Sequence, residues 1–134
     1  MIQIQGIDHI AIGVRDVRAS VEWYIATLGL KRIHEQAWGD YPAVVAAGTS
    51  SVALFPLQKD EGDIDRGAGL HRPGMRHFAF RVDRMNYALA KRELSGRGIA
   101  LTEQRHGIAR SIYFHDPDGH ELEITTYELG DEDA

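Results

Sequence analysis

The chain repeats one pattern of hydrophobic and polar positions. Ile7-Asp8-His9-Ile10-Ala11-Ile12 and Met75-Arg76-His77-Phe78-Ala79-Phe80 share the order apolar, polar, His, apolar, Ala, apolar. Each copy is followed by a helix-like segment, and Asp16 precedes the first of these segments as a residue type that caps helices. Such a pattern predicts a strand followed by a helix in each half of the chain, and hence an internal duplication.

Three short strand-like runs follow each helix-like segment. Their boundaries are 31–35, 41–46 and 51–55 in the first half, and 99–103, 111–115 and 121–127 in the second. The sequence Asp116-Pro117-Asp118-Gly119 between two of the runs is a strong turn signal. The order β-α-β-β-β, found twice, predicts an α+β fold with module one at 5–57 and module two at 75–128.

The modules are joined by a segment that is long for a compact domain. This linker, 58–74, is polar and carries glycines, which predicts either a connecting segment or a loop over the site. The acidic residues 129–134 are expected to form a frayed, solvated tail. The chain is therefore predicted to be a single domain, 1–130, followed by this tail.

Composition narrows the classes of protein that remain. A chain of 134 residues with 43% hydrophobic and 26% charged residues is typical of one globular domain. The lack of cysteine excludes a disulfide scaffold, a thiolate zinc site and a cysteine nucleophile. The net charge of -5, without a Lys/Arg cluster, argues against nucleic acid or an anionic membrane as a partner. We expect a soluble, cytoplasmic protein that acts on a small molecule.

Two histidines and one carboxylate are candidates for a metal site. The duplication gives His9 and His77 equivalent positions on equivalent strands, and Glu123 shares a strand face with Glu121. Two imidazoles and a carboxylate leave coordination positions open, which suits Fe(II) and Mn(II), with Zn(II) or Ni(II) as alternatives. A lone histidine in a strand is more often a hydrogen-bonded core or surface residue than a ligand, and Glu123 alone can be a solvated carboxylate. Taken together, they predict one divalent ion at His9, His77 and Glu123.

The motifs around these residues resemble those of a known superfamily. Ile7–Ile12, Arg76–Phe80 and Ile112–Glu123 are similar to the vicinal oxygen chelate superfamily, which contains glyoxalases, bleomycin-resistance proteins and ring-cleaving dioxygenases. The resemblance covers roughly residues 5 to 128. It implies paired βαβββ modules that form a U-shaped sheet around a metal, a substrate that chelates the metal through two oxygens, and a homodimer.

A fourth position separates branches of this superfamily. Metal-dependent glyoxalases and epimerases have Glu or Gln near the end of the first module, where the alignment of Ser51–Phe55 with the strand of Glu123 gives Ala53. Alanine can neither bind a metal nor accept a proton. The resemblance therefore favours the three-ligand pattern of extradiol dioxygenases and of thiol-transferring fosfomycin-resistance enzymes.

The second half of the chain resembles the extradiol enzymes in particular. Arg105-His106-Gly107 followed by Ile112-Tyr113-Phe114 implies that Tyr113 hydrogen-bonds the substrate and makes His106 a second catalytic candidate. A packed aromatic side chain at Tyr113 and a solvated histidine at His106 are the alternatives. Extradiol enzymes also use a histidine at the end of the first module. Here Phe55-Pro56-Leu57 has none nearer than His71.

We predict an extradiol-dioxygenase-like metalloenzyme. The alternatives are a glyoxalase-like lyase or fosfomycin-type thiol transferase, and a non-catalytic drug- or metabolite-binding protein of the bleomycin-resistance type. His115 is the first candidate for a further acid or base, because its ordinary pKa suits proton transfer near neutral pH. Trp38 is expected to form a hydrophobic contact between helix and strand, with the lining of a groove as the alternative.

Overall fold

The structure is a computed structural model, and it describes residues 1–3, 5–57 and 74–130. The chain divides into two compact units, Met1–Ile64 and Asp65–Ala134, and each is described by itself. The linker prediction for 58–74, apart from its last residue, lies outside the described residues, as do His71 and residues 131–134 of the predicted tail. The domain boundaries given above stay predictions.

The first unit is a four-stranded sheet with one long helix. Its elements are β1 (His9–Val14), α1 (Val17–Leu28), β2 (Lys31–Ile33), α2 (Glu35–Trp38), β3 (Ala43–Ala47) and β4 (Ser50–Pro56). The strand order is β1-β4-β3-β2. β1 runs parallel to β4, and the other neighbouring strands are antiparallel.

Helix α1 begins and ends at the residues that the sequence pattern indicates. The Asp16 side chain accepts a hydrogen bond from the backbone N–H of Ala19 at 3.0 Å, which satisfies one of the donors that a helix start leaves open. The helix ends at Gly29, whose φ of 70° is left-handed and favours glycine. Val21 and Tyr24 are buried, and α1 packs on β3 and β4.

Asp16→Ala is expected to lower the free energy of unfolding by about 1 kcal/mol, because the N–H of Ala19 loses its acceptor. Urea denaturation followed by circular dichroism measures this. Glu22→Ala, at an exposed position inside the same helix, is the control and should change little. Equal midpoints for Asp16→Ala and the unchanged protein would contradict the assigned role of this cap.

The second unit repeats the architecture of the first. Its elements are β5 (Phe78–Arg81), α3 (Arg84–Gly96), β6 (Thr102–His106), β7 (Ala109–His115) and β8 (Glu121–Thr126). The order β5-β8-β7-β6, with β5 parallel to β8 and the other pairs antiparallel, matches that of the first sheet. Asp83 caps α3 as Asp16 caps α1. The predicted α+β fold with two βαβββ modules is confirmed.

Two local features differ from the predicted elements. α2 is a single turn after His34, and no periodic pattern marks so short a helix. The strand predicted at 99–103 is found instead at Thr102–His106. Gly98 has a φ of 78°, and the N–H of Ile99 donates to the carbonyl of Leu94 at 3.1 Å. Ile99 therefore belongs to the end of α3 and is not available for the strand.

In the described parts of the chain, no helix has both the length and the apolar character needed to cross a membrane.

Candidate metal centre

Glu123 is a buried carboxylate at the centre of the second sheet. It lies on β8, between β5 and β7, where its backbone pairs with Ala79 on one side and Tyr113 on the other. The residue is only 8% exposed. Burying a carboxylate is costly unless both of its oxygens have partners, so the contacts of this side chain determine what the site can do.

Both oxygens of Glu123 have partners. His77 Nε2 lies 2.8 Å from Oε1, and Ser111 Oγ donates to Oε2 at 2.6 Å. Ser111 Oγ also lies 2.8 Å from Thr125 Oγ1. A serine hydroxyl has one proton. Because Ser111 donates that proton to the carboxylate, Thr125 must donate to Ser111, and the two buried hydroxyls fix the orientation of Glu123.

Tyr113 and His106 lie beside this carboxylate. The Tyr113 ring packs edge-on against the His77 ring, with 5.4 Å between the ring centroids. On its other side, the Tyr113 hydroxyl is 2.9 Å from His106 Nε2. The structure thus brings His77, His106, Tyr113 and Glu123 together within the second unit.

Tyr113 keeps its phenolic proton well into the alkaline range. Burial raises the pKa of Tyr113 above its ordinary value, and the negative charge of Glu123 raises it further. A protonated phenol can donate a hydrogen bond to an anionic oxygen, whereas a phenolate would repel one. Tyr113 is therefore suited to binding a negatively charged substrate atom next to Glu123.

His9 is at the start of β1 in the first unit and has a carboxylate partner of its own. Its Nδ1 lies 2.8 Å from Asp8 Oδ2, and Ser51 donates to the backbone carbonyl of Asp8 at 3.2 Å. A proton held on Nδ1 by Asp8 leaves the lone pair of Nε2 available for a metal. Nε2 is therefore the atom that His9 could offer to a metal.

The donor set of the second unit fits a divalent ion. Two ligands at about 2.1 Å from one ion, at right angles, lie about 3 Å apart. The 2.8 Å between His77 Nε2 and Glu123 Oε1 is close to this spacing. Neither unit alone gathers three His, Cys, Asp or Glu side chains into one group among the described residues. The three-ligand set of His9, His77 and Glu123 stays a prediction.

The strand register supports the alignment in which Ala53 of the first unit is equivalent to Glu123 of the second. Ala53 pairs with Ala11 on β1 and Val44 on β3. Glu123 pairs with Ala79, the equivalent of Ala11, and with Tyr113. The first unit thus has Ala53 and Val44 at the positions of Glu123 and Tyr113, and lacks a carboxylate there.

Ser111, Thr125 and Asp8 are the contacts that sequence reasoning missed. Ser111 lies two residues before Tyr113, and Thr125 two residues after Glu123, so each shares a strand face with a predicted site residue. Small hydroxyl residues two positions away from predicted site residues were the available signal. His115, the further acid or base candidate, lies exposed at the end of β7.

A sequence model of the Glyoxalase/Bleomycin resistance protein/Dioxygenase superfamily matches residues 6–124, and the chain belongs to this superfamily. It is 31% identical to the metallothiol transferase FosB of Staphylococcus saprophyticus over 131 residues, 96% of this chain and 81% of that protein. It is 28% identical to the glutathione transferase FosA of Serratia marcescens, over 90% of this chain and 80% of that one. A glyoxylase/bleomycin resistance protein/dioxygenase domain from Frankia sp. has a similar structure, with a TM-score of 0.75 and 26% identity, covering 98% of both chains.

Proposed function

We propose that the protein is a divalent-metal-dependent thiol transferase that acts on a small electrophile with anionic oxygens, of which fosfomycin is the type. The observation that supports this most is the pair formed by half-buried His77 and buried Glu123, whose donor atoms are spaced for one ion. The relatives named FosB and FosA, matched over nearly the whole chain, favour thiol transfer over the extradiol chemistry predicted from sequence.

His9, His77 and Glu123 are the proposed ligands. They would hold a divalent ion, which would supply Lewis acidity toward a substrate oxygen. Ser111 holds the free oxygen of Glu123, and Asp8 holds Nδ1 of His9, so that both side chains point their donor atoms in a fixed direction.

Tyr113 is the proposed substrate-binding residue. Its phenol stays protonated next to Glu123 and can donate to the oxygen on which negative charge grows as the thiol attacks. His106 Nε2 lies 2.9 Å from the same hydroxyl, and as an N–H donor to the phenolic oxygen it would leave the Tyr113 proton for the substrate. In this scheme His106 acts through Tyr113 and is a positioning residue.

The direct test is thiol consumption. Protein loaded with Mn(II) is mixed with fosfomycin and with glutathione or cysteine, and loss of free thiol is followed together with the mass of the adduct. We expect a metal-dependent adduct that a chelator abolishes. If Mn(II) binds but neither thiol is consumed, thiol transfer is the wrong reaction.

Tyr113→Phe is expected to lower kcat/KM in that assay by about tenfold or more, the usual effect of losing one hydrogen bond to a charged group. Mn(II) affinity should change little, because Tyr113 is not a proposed ligand. Tyr127→Phe is the matched control, since that tyrosine is exposed and contacts Arg81 instead. Equal activity of the two variants would remove Tyr113 from the mechanism.

Extradiol ring cleavage is the second candidate. The pairing of His106 with Tyr113 favours it, because the resemblance to extradiol enzymes rests on these two residues. Protein loaded with Fe(II) under anaerobic conditions should then give a new absorbance band with catechol and take up oxygen on aeration. Absence of both signals, with thiol transfer under Mn(II), would decide between the two reactions.

A further inference from the structure

The sheet of the first unit has one face that helix α1 covers and an opposite face, the open face, that α1 leaves uncovered. Along β4, Val52 and Leu54 are buried, and α1 packs on this strand. Side chains alternate along a strand. Ser51, Ala53 and Phe55 therefore project from the other face, which the second unit's equivalent strand uses for Glu123.

A cavity of about 460 Å³ lies on this open face. The strands contribute small side chains to it, among them Ala46 and Ala53, and this lack of bulk creates the space. Trp38 and Phe55 are the large apolar side chains that line it. The volume falls within the range of small-molecule sites, and an apolar cavity of about 150 Å³ is already enough for benzene.

The loop that carries Trp38 is held in place by an arginine. Arg32 Nη2 donates to the carbonyl of Gly39 at 2.8 Å and to Asp40 Oδ1 at 2.7 Å. The ring of His34 packs edge-on against Trp38, with 5.0 Å between centroids. These contacts hold the turn of α2 and its flanks, and with them Trp38, beside the cavity.

Away from the ion that His9 is proposed to bind, the charges of the described lining favour an uncharged occupant. Among the described residues that line the cavity there is no Lys or Arg to bind an anion. The one carboxylate, that of Asp8, is hydrogen-bonded to His9, which also lines the cavity. A neutral aromatic ring gains most from such a surface, because it buries apolar area against Trp38 and Phe55 and leaves no charge unpaired.

We propose that this cavity is a subsite for an uncharged, ring-bearing apolar group of the substrate, next to His9. The duplicated sheet face is then specialised in two ways: Glu123 and Tyr113 supply polar chemistry in one unit, whereas Ala53 and Val44 at the equivalent positions leave space for an apolar group in the other. The claim that the bound group is part of a substrate rests on the proposed function. The claim that the cavity binds an apolar ring is independent of the proposed function.

Benzyl alcohol is the first probe, titrated into metal-free protein and followed by NMR shifts and calorimetry. We expect binding with a dissociation constant on the order of 1 mM, as for a small apolar ligand. Ala46→Phe should fill the cavity and weaken binding at least tenfold. Ala47→Phe, on the neighbouring exposed position of β3, is the matched control and should leave the affinity unchanged.

Trp38→Ala is the second variant, because Trp38 is 52% exposed and its removal leaves the core intact. Trp38→Ala too should weaken binding of benzyl alcohol. In the unchanged protein, the NMR shifts that benzyl alcohol causes should map to residues of the first unit. The proposal is overturned if benzyl alcohol fails to bind, or if Ala46→Phe or Trp38→Ala in folded form binds it as tightly as the Ala47→Phe control.

A second pair of probes links the cavity to the reaction. With Mn(II)-loaded protein, phenylphosphonate should bind at least tenfold more tightly than methylphosphonate, and Ala46→Phe should erase that difference. Equal affinities for the two phosphonates would overturn the subsite. Failure of Mn(II) binding or of thiol transfer, with benzyl alcohol binding intact, would overturn the proposed function alone.

Discussion

Glu123→Gln is expected to abolish stoichiometric Mn(II) binding and, with it, activity. The change keeps the size of the side chain and one carbonyl oxygen, but it removes the negative charge that a divalent ion requires. The loss of affinity should exceed the roughly 10- to 100-fold that follows when only an outer partner of a ligand is altered. Calorimetric titration with Mn(II) measures it.

Glu121→Gln is the matched control for that experiment. Glu121 lies two residues earlier on β8, so Glu121→Gln removes the same charge from the same strand. Glu121 is paired in register with His115, at the end of the sheet. Its Mn(II) affinity should stay close to that of the unchanged protein. If both variants bind Mn(II) alike, Glu123 is not a ligand.

Ser111→Ala is expected to weaken Mn(II) binding about 10- to 100-fold without changing any ligand atom. Ser111 is fully buried, and its hydroxyl donates to Glu123 Oε2 at 2.6 Å. Without it, Oε2 loses its buried partner, and the carboxylate is free to turn away from His77. The same substitution should also lower stability, because a buried charge is left partly unsatisfied.

Metal titration and urea denaturation separate these two effects of Ser111→Ala. Thr126→Val is the control, because Thr126 is as buried as Ser111 but lies on the opposite face of β8 from Glu123. It should leave Mn(II) affinity unchanged. An unaltered affinity in Ser111→Ala would show that the carboxylate is oriented by other contacts.

The duplicated fold could be predicted from sequence because both halves carry the same short sequence patterns. The His-apolar-Ala-apolar motifs that begin at His9 and His77 indicate the first strand of each unit, and Asp16 indicates the start of α1, all through short-range effects. The single turn of α2 could not be predicted in this way. It depends on Arg32, which binds Gly39 and Asp40 after a reversal of the chain.

The polar contacts of the site were only partly accessible from sequence. The motifs proposed Glu123, His77 and Tyr113 as site residues, and the structure brings these three side chains together in the second unit. The role of Ser111 needed the register, because only the pairing of Tyr113 with Glu123 brings Ser111 within reach of the carboxylate. The apolar cavity could not be predicted for a related reason. An alanine such as Ala46 does not indicate a cavity until the side chains around it are known.

The central claim is that one divalent ion is bound by residues of both repeated modules, and His9 tests it most directly. Mn(II) titration of His9→Ala, followed by the EPR signal of the free ion, is the decisive measurement. We expect one ion per chain in the unchanged protein and none held tightly by His9→Ala. Undiminished Mn(II) binding by His9→Ala would contradict the claim.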